Sequence, residues 1–231
     1  MLSKPVPLWV FVGGFALAAV AGSVNAVGFL ALHHRALAHM SGPLTVLGNE
    51  LARADLNAVL GAVFIVLAFF SGCAVSAALI GEAALKLGRR YGLVLVLEAA
   101  ALTLAWWSLL HGWTGGEWLA AFACGLQNAM ASTYSGAVLR TTHMTGVVTD
   151  LGMALGHWLG RHKVDRRRVV LYIVLLLGFL CGAVAGSFVF GRIGLHALLA
   201  PALFTGVIGV AYVLFEQLRR DPAGVPVTTT R

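Results

Sequence analysis

A short, glycine-broken motif occurs twice in this chain, in otherwise apolar surroundings. HMSG at 39–42 is followed by Thr45 and Gly48, and HMTG at 143–146 is followed by Thr149 and Gly152. The two copies begin 104 residues apart (143 − 39), close to half the chain. Interrupted segments at matching positions of two halves are a good sequence-level indication of a transport site within a membrane.

The composition points to lipid as the main solvent of the chain. Of the 231 residues, 59% are hydrophobic and only 11% are charged, whereas soluble domains keep about a quarter of their residues charged. The net charge of +7 is spread between apolar runs and does not form one basic face, so we expect membrane lipid and no nucleic acid as a partner. Cys73, Cys124 and Cys181 lie in apolar runs without metal-binding spacing, and we expect no metal or other cofactor.

Six apolar runs are long enough for the ~20 helical residues that cross a bilayer. They lie at about 8–32, 57–82, 91–111, 117–139, 168–191 and 196–218. The two motif segments, 36–52 and 141–160, are shorter or more polar. We therefore predict an all-α integral membrane protein with six transmembrane helices and two re-entrant or broken segments, between an N-terminal segment at 1–7 and a tail at 219–231.

The lysines and arginines favour this number of spans. Six spans put 13 of the 16 on one side, whereas eight spans, with both motif segments crossing, split them 10 to 6. The positive-inside rule therefore favours six spans in a bacterial inner membrane, with both termini cytoplasmic. A seven-span arrangement, in which only the first motif segment crosses, gives the same 13-to-3 division and stays open.

The duplication extends beyond the motif and divides the chain into repeats at 8–111 and 117–218. Phe69 and Gly72 correspond to Phe179 and Gly182. Three spans per half would insert the second copy from the opposite side of the membrane, which makes the repeats inverted. The motif segments would then enter from opposite faces and meet near the midplane, where irregular backbone must be buried in protein or line a wet cavity.

The motifs in combination resemble those of the YoaK-like family of bacterial inner-membrane proteins. The resemblance rests on GSVNAVGFLAL followed by HMSGPLTVLG, and on GLQNAM followed by HMTGVVTDLG. It covers nearly the whole chain. It implies a polytopic membrane protein of a kind often described as a permease, and it brings no established substrate.

The motif supplies the first candidate binding residues. His39 and His143 precede a hydroxyl residue and a glycine, as at the start of a half-helix whose exposed N–H groups could face an anion. The alternative is a histidine at the headgroup level or bonded to a nearby carbonyl. Ser41 with Thr45, and Thr145 with Thr149, place hydroxyls on one helical face, either lining a site or bonded back to their own helix.

Two further pairs match between the halves. Gly42 and Gly146 would allow close approach of the backbone, within the predicted binding segment. Asn25 and Asn128 lie in the first span of each half, where an amide either holds helices together or contacts substrate.

Acidic and basic groups at membrane depth are candidates for proton coupling. His143, Asp150 and His157 recur every seven residues, on nearly one helical face. Glu98 lies seven residues into an apolar run, beyond Tyr91. The alternative for all four residues is that they lie near the membrane–water interface and are simply hydrated there.

The resulting function hypothesis is a small secondary transporter, or permease, for an anionic or small polar solute. A channel formed by the paired re-entrant segments is one alternative. An integral-membrane enzyme using His143, Asp150 and His157 is another, disfavoured because the sequence has no nucleophile–base pair or metal-binding motif. We therefore expect no enzymatic activity. The glycine stripes are compatible with a homodimer.

Overall fold

The computed structural model describes residues 8–31, 37–81, 89–134 and 141–220, and this part of the chain contains helices and no strands. The predicted terminal segment at 1–7 and most of the tail at 219–231 lie outside the described residues. The described residues form eight α-helices in this order: α1 (Leu8–Ala31), α2 (Ser41–Arg53), α3 (Leu56–Ile80), α4 (Arg89–Leu110), α5 (Gly115–Tyr134), α6 (Met144–Leu159), α7 (Arg166–Ile193) and α8 (Leu199–Arg220).

Within the described ranges, four helical stretches are long and apolar enough to cross a membrane: Leu8–Ala31, Leu56–Ile80, Arg90–Leu110 and Arg166–Leu218. The last has 53 residues, more than twice the length that one crossing needs. It contains α7 and nearly all of α8, which are separated by a 3-10 turn at Gly194–Leu198. Gly194 has φ +59°, a left-handed conformation that glycine adopts without steric cost. These apolar helices indicate a membrane protein.

Glycines bring α1 against α7, so closely that their backbones touch. Gly178, Gly182 and Gly186 on α7 lie against Phe15, Ala19 and Ser23 on α1, in that order. The residue numbers rise together on both helices, so α1 and α7 run in the same direction. Glycine at four-residue spacing is what such close packing of membrane helices requires.

The second large interface, between α3 and α5, is also parallel. The rings of Phe64 and Trp118 pack with their centroids 4.6 Å apart. Two turns further along both helices, Gly72 lies against the backbone of Phe122 and Leu126. The thiol of Cys73 donates to the carbonyl oxygen of Gly125 across the same interface.

In contrast, α4 and α8 are antiparallel. Gly209 on α8 lies against Gly92 and Val96 on α4, whereas Gly206, earlier in α8, lies against Ala99, later in α4. The two helices of the α4–α8 pair therefore run in opposite directions.

The two motif segments form the short helices α2 and α6. At 1.5 Å per residue, α2 with 13 residues is about 20 Å long and α6 with 16 residues about 24 Å, below the ~30 Å of a bilayer core. Each packs against the following helix, α3 or α7. Asp55 and Asp165 cap those following helices by accepting from two backbone N–H groups each, which explains why α7 begins at Arg166, ahead of the predicted 168.

Candidate functional site

The loops that precede α2 and α6 meet each other, with Thr142 buried, His39 half-buried and His143 exposed. The ring of His39 lies beside the backbone of Thr142, the residue before His143, and the two histidines interact electrostatically. His39 also packs against the ring of Phe179, with 5.6 Å between the centroids. The structure thus brings together two residues that are 104 positions apart in the chain.

Each loop is held by an asparagine of the helix that precedes it, α1 or α5. The Oδ1 of Asn25 accepts from the backbone N–H of Ala38 at 3.2 Å. The Oδ1 of Asn128 accepts from the hydroxyl of Thr142 at 3.0 Å. Ala38 and Thr142 both stand directly before the motif histidine. The two amides therefore position the loops, and a direct contact with substrate stays a prediction.

The first turns of α2 and α6 present backbone donors next to the histidines. The residues at the helix starts, Met40 and His143, make no side-chain capping hydrogen bond. The ring of His143 instead lies over Gly146, where a Cβ would overlap it. Gly146 therefore leaves room for the histidine ring, and the helix start keeps its partial positive charge uncapped.

All four predicted hydroxyl residues are exposed, and two of them are hydrogen-bonded within their own helices. Thr45 donates to the carbonyl of Ser41 at 2.8 Å, and Thr149 to that of Thr145 at 2.9 Å. Both threonines thus bond back to their own helix, which leaves only their acceptor capacity for a ligand. Ser41 and Thr145, together with the threonines, lie on exposed faces of α2 and α6. Gly42, like Gly146, is only half-buried.

The carboxylate predicted between two histidines has another partner. Asp150 lies near the hydroxyl of Tyr172 on α7 and interacts electrostatically with it. His157 lies in the last turn of α6 and packs edge-on against His162, with 6.0 Å between the ring centroids. Fourteen residues of helix, about 21 Å, separate it from His143. The three residues therefore do not converge on one point.

Glu98 is the most deeply buried carboxylate in the described part of the chain. It is 2% exposed, and its Oε2 has no hydrogen-bond partner there. It lies on α4 and interacts electrostatically with Cys124 on α5. Its predicted role in proton coupling remains a prediction. Within the ranges that the structure describes, no group of three or more His, Cys, Asp or Glu side chains could hold a metal ion.

Three residues at the site escaped the sequence-based search: Thr141, Thr142 and Tyr172. The first two immediately precede the second motif, and Thr142 contacts both His39 and Asn128. The first copy has Leu37 and Ala38 at those positions, so a search restricted to matching residues passes over them. Tyr172 is brought to Asp150 only by the packing of α6 on α7.

The chain was compared with models of protein families. The model described as "Protein of unknown function (DUF1275)" matches residues 13–211. The chain belongs to this family. The match covers all eight helices except the ends of α1 and α8, and it confirms the family assignment made from the motifs. Membership in DUF1275 does not by itself assign a function to the chain.

Comparison with curated proteins and with solved structures gives no match. Function must therefore be argued for this DUF1275 protein from its own helices and loops.

Proposed function

We propose that this DUF1275 protein is a small secondary transporter of the bacterial inner membrane. Its substrate would be an anionic or small polar solute bound between the two HM[ST]G loops. The observation that carries the proposal is the meeting of these loops, in which the His39 ring lies beside the backbone of Thr142 and interacts electrostatically with His143. Polar loops of matching sequence that meet each other among apolar helices are typical of transport sites.

Helix directions support six spans with two re-entrant segments. Eight spans would make α4 and α8 parallel, but they are antiparallel. Seven spans, with only α2 crossing, would make α1 and α7 antiparallel, but they are parallel. Six spans agree with both pairs, and α5 with its 20 residues is about 30 Å long, enough to cross. The positive-inside rule then puts both termini in the cytoplasm.

Matched contacts support the inverted repeat. A Cβ on Gly22 of α1 would overlap the carbonyl oxygen of Phe179 on α7. A Cβ on Gly125 of α5 would overlap that of Phe69 on α3. These are corresponding residues, and each half contributes one helix to each interface. Exchange of partners between halves is expected when two copies insert in opposite orientations.

The chemistry of the paired loops favours an anion or a carboxylate. The start of α2 and the start of α6 both carry the partial positive charge of a helix N-terminus, and backbone N–H groups there can donate to anionic oxygens. His39 and His143 add two ring systems that can donate or accept protons. Alternating access would follow from one half rocking against the other around this point.

Transport assays in proteoliposomes test this function. We expect saturable uptake and counterflow of at least one member of a panel of organic and inorganic anions, and loss of both in His39→Ala and His143→Ala. His111→Ala is the matched control, because His111 is an exposed histidine bonded to Trp107 of its own helix. Unchanged transport in both motif variants would refute the proposal. Unitary conductance without counterflow would favour a channel instead.

A separate experiment addresses proton coupling by Asp150. If Asp150 carries the coupling proton, Asp150→Asn retains counterflow but loses accumulation driven by a proton gradient. Tyr172→Phe, which removes the hydroxyl near Asp150, should shift the pH profile of uptake and preserve accumulation. Accumulation that is intact in Asp150→Asn would assign the coupling elsewhere, with Glu98 as the next candidate.

A further inference from the structure

One end of the bundle contains a large cavity between α1, α4, α5 and α8. Its volume is about 740 Å³, within the ~300–1,000 Å³ range of small-molecule sites. It lies where α1 and α4 begin and where α5 and α8 end, which is the cytoplasmic end in the six-span arrangement. Most of its lining is apolar and aromatic, and includes Trp9, Leu17, Leu95, Met130 and Phe204.

The lining of this cavity includes a buried hydroxyl that has no hydrogen-bond partner among the described residues. Thr141 lines the cavity and has an exposed fraction of 0%. Its Oγ1 has no hydrogen-bond partner among the described residues. Thr205, the other buried threonine in the lining, already donates to its own helix. An unpaired buried hydroxyl is costly unless a ligand supplies the missing hydrogen bond. Thr141 lies two residues before His143, so the cavity reaches the motif loop.

The corresponding region of the other half is filled. Gly13 on α1 lines the cavity, and a Cβ there would meet no described atom within 4 Å. Its counterpart in the repeat, Gly116 on α5, is packed against Ala105 and Leu109 of α4.

The residue that corresponds to Thr141 is Leu37, and it is packed in a hydrophobic cluster instead of lining the cavity. Leu37 is fully buried in a cluster with Ala105 and Ala120. Thus α4 and α5 pack tightly at one end of the bundle. At the other end, α1 and α8 stay apart and leave the cavity described above, which we call the α1–α8 cleft. Such asymmetry between equivalent helix pairs is the form that an inward-open state of an inverted-repeat transporter takes.

We infer that the α1–α8 cleft binds an amphipathic organic anion, with its apolar body against α1 and α8 and its anionic head at Thr141. This inference rests on the proposed function and refines its substrate class. The apolar lining selects the body of the molecule, because apolar surface gains free energy on leaving water. The Thr141 hydroxyl and the nearby start of α6 select the head.

Binding of two matched fluorophores to the full-length protein in nanodiscs tests the inference. Anilinonaphthalene sulfonate has an apolar body and one sulfonate, and phenylnaphthylamine has the same body without it. Gly13→Leu should weaken binding of both probes by about tenfold or more, because the leucine occupies the cavity. Gly191→Leu is the control, since Gly191 is an exposed α7 glycine whose Cβ would also meet no described atom within 4 Å. Equal affinities in wild type and Gly13→Leu would overturn the inference.

The head group is tested separately by Thr141→Val, which keeps the shape of the side chain. It should weaken the sulfonate probe by about tenfold, as for one lost hydrogen bond to a charged group, and leave the uncharged probe unchanged. Equal effects on both probes would refute the position of the head. Co-purified lipid that the sulfonate probe fails to displace would assign the cleft to lipid only and also overturn the inference.

The outcomes for the cleft and for the proposed function are distinguishable. Transport that requires His39 and His143, together with probe binding unaffected by Gly13→Leu, would reject the cleft and leave the transporter. Probe binding that follows the predictions in a protein that transports nothing would reject the transporter and leave the cleft.

Discussion

Replacement of Gly22 by alanine tests the packing on which the whole arrangement depends. A Cβ at this position would overlap the carbonyl oxygen of Phe179 and approach the backbone nitrogen of Ala183 to 3.0 Å. Both are main-chain atoms of α7, so no side-chain rotation can relieve the contact. The variant must move α1 away from α7 along an interface that also includes Gly178 and Gly182.

The expected magnitude follows from a comparison with Gly13→Ala on the same helix. Alanine at Gly13 meets no described atom within 4 Å, so this variant gains about 1 kcal/mol of helix propensity. Gly22→Ala has the same gain but also the cost of overpacking, about 1–3 kcal/mol. Because the propensity term is common to both variants, the difference between them isolates the overpacking.

The assay is equilibrium unfolding of purified protein in mixed micelles, with the free energy of unfolding compared between the two variants. We expect Gly22→Ala to be less stable than Gly13→Ala by about 1–3 kcal/mol. Equal free energies of unfolding would mean that α1 and α7 do not approach as closely as described, and would refute the reasoning.

Further predictions concern the loop anchors and the helix caps. Asn25→Ala should lower the free energy of unfolding by about 1 kcal/mol, because it removes the acceptor for Ala38; an unchanged value would argue against this bond. A double-mutant cycle of Asn128→Ala and Thr142→Val should give a coupling of about 0.5–1.5 kcal/mol, and additive effects would contradict the contact. Asp165→Ala should cost about 1 kcal/mol as a lost helix cap, and Asp165→Asn much less; equal losses would indicate that charge and not capping is responsible.

Sequence patterns predicted much of the fold because lipid imposes strong constraints. Long apolar runs must form helices to satisfy their backbone, and the broken segments at 36–52 and 141–160 contain the short helices α2 and α6. The importance of Asn25 and Asn128 was also visible, since an amide in an apolar helix needs a partner. Their actual partners, Ala38 and the Thr142 hydroxyl, depend on how the chain folds back after α1 and α5.

The cleft could not be predicted in the same way. It arises because α1 stays apart from α8, whereas the equivalent pair α5 and α4 packs tightly around Gly116. The sequences of α4 and α8 show little resemblance, so their different neighbours were not apparent. The partner of Asp150 could not be predicted either. Its spacing placed it on one helical face with His143 and His157, whereas the side chain lies near Tyr172 on another helix.

The central claim is that the two HM[ST]G loops meet inside the membrane, and cross-linking measures this most directly. In a variant without Cys73, Cys124 and Cys181, the pair His39→Cys and His143→Cys should be joined efficiently by a short bifunctional thiol reagent in native membranes. The pair Phe64→Cys and Trp118→Cys, whose rings lie 4.6 Å apart, is the positive control. The account predicts cross-linking of both pairs within one chain; a control pair that reacts while the histidine pair does not would contradict it.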